Sequence, residues 1–95
     1  MNAPRHEAIP GVRLGAIRAT RHGRARGARH LARVIGARIF EARLARSMNL
    51  WELARRSNIL STEIRNYEAG RRLPPLDRLH RIATSLEIEL RELMP

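Results

Sequence analysis

Cysteine is absent from the sequence, which excludes a disulfide scaffold and a thiolate metal site. A chain without disulfides is most easily accommodated in a reducing cytosol. Runs of apolar residues are short as well. None approaches the roughly 18 residues that would span a bilayer, and the N-terminal stretch lacks the apolar middle of a signal peptide. We therefore expect a soluble, cytoplasmic protein that does not enter a membrane.

Lysine is also absent, so all nineteen basic residues are arginine, and against nine acidic residues they give a formal charge of +10. The charge is unevenly distributed along the chain. Residues 1–33 carry eight arginines and one glutamate, whereas residues 34–95 carry eleven arginines and eight acids. Such an excess predicts a polyanionic partner, with nucleic acid as the first candidate and an anionic membrane surface as the second.

Arrangements typical of enzymes are missing from the sequence. It contains no recognisable nucleophile with its base, no phosphate-cradling glycine loop and no paired-carboxylate site. The histidines lack the spacing of metal ligands; they are His6, His22, His30 and His80. We therefore expect a protein that is not an enzyme and that needs no metal or other cofactor.

The length allows one small domain with a single core. Prolines and glycines interrupt every helical run in residues 1–27, which are predicted to form a basic, disordered arm that orders on a partner. Arginine alternating with glycine and alanine suits an A·T-rich minor groove, although arginine-rich stretches also bind RNA. Residues 28–95 are predicted to form the folded domain.

Apolar residues recur at helical spacing in five stretches of residues 28–95, and no stretch is typical of a strand. Helix 1 starts near Ala28, helix 2 is LWELARRS, helix 3 is STEIRNYEA, helix 4 is PLDRLHRIATSLE, and a final turn is ELRELM. Residues predicted to face inward are Leu31, Ile35, Ile39, Ala42, Leu53, Ala54, Ile64, Tyr67, Leu76, Leu79, Ile82, Ala83 and Leu86, and the final turn carries Leu90 and Leu93. Asn49 is the expected N-cap of helix 2, with Glu52 completing a capping-box-like pair, and Gly70 is the expected stop of helix 3. The predicted fold class is all-α.

Helices 2 and 3 are two short helices joined by a tight turn, the pattern of a helix-turn-helix. Over residues 34–94 the sequence resembles the Cro and phage-repressor family of DNA-binding domains, also called XRE-type. The residues that carry this resemblance are Gly36, Ile39, Arg43, Leu53, Ala54, Ile64, Glu68, Gly70, Pro74, Leu79, Ile82, Ala83, Leu86 and Ile88. It implies a five-helix, lambda-repressor-like domain that binds double-stranded DNA.

In a helix-turn-helix the second helix enters the major groove and offers its outward side chains to base edges. With Ile64 and Tyr67 facing inward, the candidate base-reading residues of helix 3 are Ser61, Thr62, Arg65 and Asn66. An arginine can form two hydrogen bonds with guanine, and an asparagine two with adenine. These pairings make Arg65 and Asn66 the foremost candidates.

Other residues are candidates for phosphate contacts or for a structural role. Asn49, Arg71 and Arg72 flank the motif and are candidate phosphate ligands, with a generic basic loop as the less favoured alternative for Arg71 and Arg72. The resemblance also implies an ion pair between Arg43 and Glu68, for which the simpler alternative is two solvated surface charges.

Three positions depart from the family pattern. Leu50 stands where the family often has a phosphate-binding glutamine, and Asn58 replaces the usual turn glycine, a change that the turn tolerates. Leu60 stands where serine or threonine usually caps helix 3. Either Ser61 caps the helix one residue late, or the first N–H groups face water or phosphate, and the cap is worth about 1 kcal/mol.

The only tryptophan, Trp51, is predicted on an outward face of helix 2. Packing against helix 1 or the arm is one interpretation, and a phosphate or partner contact through the indole N–H is the other.

These observations favour a sequence-specific DNA-binding transcriptional regulator, interpreted as a repressor that occupies an operator. We expect a homodimer on DNA, with the last turn, Leu90, Leu93 and Met94, as the candidate interface. One alternative is an antitoxin or another protein-binding module with a toxin or co-regulator as its partner. Another is a nucleic-acid chaperone or RNA binder that uses charge without sequence readout.

Overall fold

The computed structural model describes the backbone of residues 10–95 and the side chains of residues 26–95. The elements are α1 (Pro10–Ala45), α2 (Leu50–Ser57), α3 (Ser61–Glu68), α4 (Leu76–Ser85) and a closing 3₁₀-helix (Leu90–Leu93). This part of the chain contains helices and no strand, so the predicted all-α class is confirmed. The helix count differs slightly from the five predicted, because the last element is a single 3₁₀ turn and not an α-helix.

Helix α1 begins at Pro10, earlier than the start near Ala28 that apolar periodicity predicts. Arginine and alanine both favour helix, and a glycine within a helix costs only about 1 kcal/mol. Proline fits the first helical position because its missing N–H needs no partner there. The backbone of residues 10–27 is therefore helical where an irregular arm was expected, and residues 1–9 of that predicted arm lie outside the described residues.

The core lies where α1, α2, α3, α4 and the 3₁₀-helix converge. Its fully buried large side chains are Ile35, Ile39, Leu53, Ile64, Ile82, Leu86 and Leu93. All of these except Leu93 were predicted to face inward. Two loop residues that periodicity does not find, Met48 and Ile59, are buried with them.

Two predictions about apolar residues are wrong. Leu76 is 67% exposed, because α4 begins at this residue and the buried position at that end of the helix is taken by Pro74. Leu93 is fully buried in the core of its own chain, so it cannot contribute to an interface with a second copy. Leu90 and Met94 are half-buried and pack against the same core.

A side-chain cap at one end and a left-handed residue at the other set the boundaries of α2. The Asn49 side chain accepts a hydrogen bond from the Glu52 N–H at 2.8 Å, which confirms the predicted cap. The Glu52 carboxylate pairs with Arg56 at 2.9 Å in an i,i+4 contact and does not complete the capping-box-like pair that was expected with Asn49. Asn58 ends α2 in the left-handed conformation with φ 57° and ψ 45°, as expected for an asparagine in place of glycine.

Within the described part of the chain, no helix combines the length and apolar character needed to cross a membrane.

Candidate nucleic-acid interface

The turn between α2 and α3 is fixed by buried side chains and backbone hydrogen bonds. The Ile59 N–H donates to the Ala54 carbonyl at 3.1 Å, and the Ile59 side chain is 5% exposed. The Ser57 hydroxyl, also buried, donates to the Leu53 carbonyl at 2.8 Å. Since every buried polar group named here has a partner, the angle between the two helices is held firmly.

Helix α3 is anchored through its inner face. Ile64 is fully buried, and Tyr67 is 3% exposed. The Tyr67 hydroxyl accepts a hydrogen bond from Arg78 Nη1 at 2.9 Å. Burial raises the pKa of Tyr67, while Arg72 lowers it, Asp77 raises it and Arg81 lowers it. The tyrosine is thus neutral at physiological pH, and it serves α3 as an anchor.

A close approach of α1 to the end of α3 fixes the position of the helix further. A Cβ atom added to Gly36 would overlap the carbonyl oxygen of Tyr67 and lie 3.0 Å from that of Glu68. At Gly70, just after α3, φ is +73° and an added Cβ would lie 3.0 Å from the Arg33 Cα. Both glycines therefore allow a backbone contact between α1 and α3 that a larger residue would prevent.

Arg43 of α1 and Glu68 of α3 form a two-point ion pair. Arg43 Nε lies 2.7 Å from Glu68 Oε2, and Arg43 Nη2 lies 2.9 Å from Oε1. The two side chains are 11% and 9% exposed. Arg43 Nη1 also donates to the carbonyl of Met48 at 3.0 Å, and hydrogen bonding to Glu68 raises the pKa of Arg43. The pair joins α1, the loop before α2 and the end of α3.

The outer face of α3 presents polar side chains to solvent. Thr62 and Arg65 are exposed, and Ser61 and Asn66 are half-buried. Asn66 Oδ1 accepts a hydrogen bond from Arg71 Nη1 at 3.3 Å. The structure therefore brings the four candidate base-reading residues onto one helix and links one of them to a candidate phosphate ligand.

The phosphate candidates stand at different places. Arg71 and Arg72 are both exposed on the loop that follows α3. Asn49 is exposed at the start of α2, where its side-chain oxygen is engaged as the cap. Its amide N–H₂ group is the part of the side chain that could donate to a phosphate.

The charge balance around α3 favours an anionic ligand. Its two acids are both paired: Glu68 with Arg43, and Glu63 with Arg78. Among the described side chains, Arg65, Arg71 and Arg72 form no ion pair. The outer side of α3 and the following loop therefore carry unneutralised positive charge.

The start of α3 is apolar. Leu60 occupies the N-cap position without a side-chain hydrogen bond, which is the second of the two alternatives open from the sequence. It is 69% exposed, and Trp51 of α2 is 60% exposed. These two residues line the same open hollow together with Arg55 and Arg78. At this exposure, Trp51 is not buried by the described part of α1.

Sequence reasoning missed two contributors to this region. Nothing in the sequence indicates that the Met48 carbonyl accepts from Arg43, since the contact depends on the path of the loop. Gly36 is one of the residues that carry the resemblance, but the resemblance does not explain why a glycine is needed at this position. A small residue on the inner face of α1, one position after buried Ile35, is the signal that could have indicated the close helix contact.

Comparisons with known proteins agree with this geometry. A family model described as Helix-turn-helix matches residues 39–93, more than half of the chain. The crystal structure of the restriction-modification controller protein C.AhdI from Aeromonas hydrophila is similar with a TM-score of 0.65 and 32% sequence identity, over 66% of this chain and 96% of that chain. No curated protein matches the sequence. These matches point to double-stranded DNA as the partner and to a regulator in place of an enzyme. The chain belongs to the XRE-type helix-turn-helix family of DNA-binding transcriptional regulators.

Proposed function

We propose that this regulator binds a specific operator sequence by inserting α3 into the major groove, and that it represses transcription by occupying that operator. The observation that carries the proposal is the outer face of α3, on which Thr62 and Arg65 stand exposed beside Asn66 while both acids of the helix are neutralised by arginines. A helix that binds in the major groove needs polar side chains to hydrogen-bond the base edges, and it needs no unpaired negative charge that would repel the DNA.

The reading residues have distinct roles in this proposal. Arg65 forms two hydrogen bonds with a guanine, and Asn66 forms two hydrogen bonds with an adenine. The hydrogen bond from Arg71 orients the Asn66 amide through one lone pair of Oδ1, which leaves the second lone pair and the N–H₂ group for the adenine. Ser61 and Thr62 contact bases or phosphates near the start of the helix.

The phosphate contacts fix the position of the protein along the DNA. Arg71 and Arg72 follow α3 directly and bind the DNA backbone beside the groove, and the Asn49 amide binds it at the start of α2. Each phosphate that the protein neutralises releases about 0.9 counterions, so binding weakens steeply with salt.

A single short helix reads only a few base pairs, so two copies bound to a two-fold site complete the operator. Their half-sites are expected about 10–10.5 bp apart. Because Leu93 is buried, Leu90 and Met94 are the two candidate interface residues that remain partly accessible for a contact between copies.

The test is selection of bound duplexes from a random library by the full chain. The proposal requires a reproducible preferred sequence with two-fold symmetry, and a promoter containing that sequence should be transcribed less when the protein is present. If the recovered duplexes match the starting library in sequence, the protein binds by charge alone and the proposal is wrong.

A finer role is supported by the similarity to the restriction-modification controller protein, at 32% identity over 96% of its chain. In this second candidate function, the present chain controls a restriction–modification gene pair. The selected sequence should then occur upstream of such genes, and its occurrence only beside unrelated genes would count against this role.

A further inference from the structure

We propose that Leu60 and Trp51 form an apolar ledge that contacts DNA directly, with Leu60 reading the C5-methyl group of a thymine and Trp51 packing against the sugar of the same strand. This inference rests on the proposed function, since it adds two residues to the surface with which α3 binds the operator. Leu60, which departs from the family pattern, and Trp51, whose role the sequence leaves open, would then both contribute to specificity.

The exposure of these residues needs an explanation. Leu60 is 69% exposed and Trp51 is 60% exposed. Leu60 also stands at a helix N-cap, where serine, threonine, aspartate or asparagine would supply a hydrogen bond that leucine lacks. A residue that is unfavourable both for exposure and for capping is consistent with a contact made only when a ligand is bound.

The position of the ledge indicates which ligand. Leu60 directly precedes Ser61 and Thr62, so it lies at the end of α3 whose first turns face the major groove. Thymine is the base that presents a methyl group in that groove, and an apolar side chain is its natural contact.

The surroundings of the hollow favour nucleic acid over an apolar protein segment. Besides Leu60 and Trp51, the hollow is lined by Arg55, Arg78 and Glu63, and the last two form an ion pair with each other. Arg55 is exposed and forms no ion pair among the described side chains. Apolar side chains beside the unpaired guanidinium of Arg55 suit a nucleotide, which has an apolar sugar beside a phosphate. The Trp51 indole N–H can donate to that phosphate.

The experiment uses the full chain and the duplex obtained by selection, with each thymine replaced singly by deoxyuridine, which removes only the C5-methyl group. Wild-type protein should lose affinity about threefold to fivefold at one thymine per half-site, the value expected for one buried methyl group. The Leu60→Ser variant should lose less than twofold there. Leu76→Ser is the matched control, because Leu76 is an equally exposed leucine at the start of α4; this variant should behave as wild type.

Trp51 supplies a second readout, because it is the only tryptophan. Its fluorescence should change when the selected duplex is added, and Leu60→Ser should keep this change. Equal sensitivity of wild type and Leu60→Ser to every deoxyuridine, or unchanged fluorescence at saturating duplex, would overturn the ledge. If Arg65→Ala and Asn66→Ala still relax sequence preference in that case, the ledge alone is rejected. If the wild-type protein shows no sequence preference, the proposed function and the ledge are both rejected.

Discussion

Replacing Gly36 by alanine tests the contact between α1 and α3, because it adds one methyl group where the structure leaves no room. The new Cβ would overlap the Tyr67 carbonyl oxygen and lie 3.0 Å from the Glu68 carbonyl oxygen. Both neighbours are backbone atoms, which cannot turn away as a side chain can. Helix α3 would therefore have to move away from α1.

The expected magnitude follows from three opposing contributions. Alanine is about 1 kcal/mol better than glycine within a helix. Overpacking typically costs about 1–3 kcal/mol, and here it acts against rigid backbone. Moving the end of α3 also lengthens the Arg43–Glu68 hydrogen bonds of 2.7 and 2.9 Å, and weakening these charged hydrogen bonds costs about 2 kcal/mol more. We expect a net loss of about 2–4 kcal/mol in the free energy of unfolding, and each kilocalorie corresponds to roughly 4–8 °C in melting temperature.

Gly27 provides the matched control in the same helix, since an added Cβ there would have no neighbour within 4 Å. Gly27→Ala should raise the free energy of unfolding by up to about 1 kcal/mol. Urea unfolding of both variants, followed by circular dichroism, measures the difference. If Gly36→Ala were as stable as Gly27→Ala, the close approach of α1 to α3 would be refuted.

Three further predictions concern the ion pair, the cap and the arm. Arg43→Ala should lower the free energy of unfolding by about 3–5 kcal/mol, because it leaves a buried Glu68 carboxylate unpaired, whereas Arg56→Ala should cost under about 1 kcal/mol; similar urea midpoints for the two would place Glu68 in water. Leu60→Ser should raise stability by about 1 kcal/mol through a new cap, and a fall in its melting temperature would contradict this. Deleting residues 1–27 should flatten the slope of log affinity against log salt by about 2–4, as expected for two to four phosphate contacts, and parallel salt titrations of the two proteins would reject the arm as a DNA contact.

Much of the fold could be predicted because the helical period is strong where the core is large. Ile35 and Ile39 lie four residues apart and are both fully buried, and the same spacing identifies Ile82 and Leu86. Asn58 could be assigned to a left-handed turn because few other side chains tolerate that conformation. These features depend on neighbouring residues in the sequence.

Features that depend on distant parts of the chain could not be predicted in the same way. Leu76 continues the apolar period of α4, yet the core ends before reaching it, and periodicity carries no information about where a neighbouring element stops. Met48 and Ile59 are buried from loops, where no period applies. The start of α1 at Pro10 was missed because helix propensity extends beyond the amphipathic stretch that packs on the core.

Only part of the candidate site could be predicted from the sequence. Register along α3 assigned Thr62 and Arg65 to its outer face, where the structure places them exposed. The hydrogen bond between Arg71 and Asn66 depends on the path of the loop after the helix, which no local pattern indicates. The exposure of Trp51 was undecided, because a residue on an outer helix face can be covered by any other segment.

The most direct test of the account is the specificity ratio, the affinity for the selected duplex divided by that for a random duplex, measured for Arg65→Ala and Asn66→Ala. Each variant should lose about 1–3 kcal/mol on the selected duplex and little on the random one, so that its ratio falls by roughly 5- to 150-fold. Arg46→Ala is the control for loss of one positive charge, because Arg46 is exposed just after α1 and donates to the Glu87 carbonyl at 3.0 Å. It should leave the ratio unchanged. Equal losses on both duplexes for Arg65→Ala and Asn66→Ala would show that these residues touch only phosphate, and would contradict the claim that α3 reads the sequence.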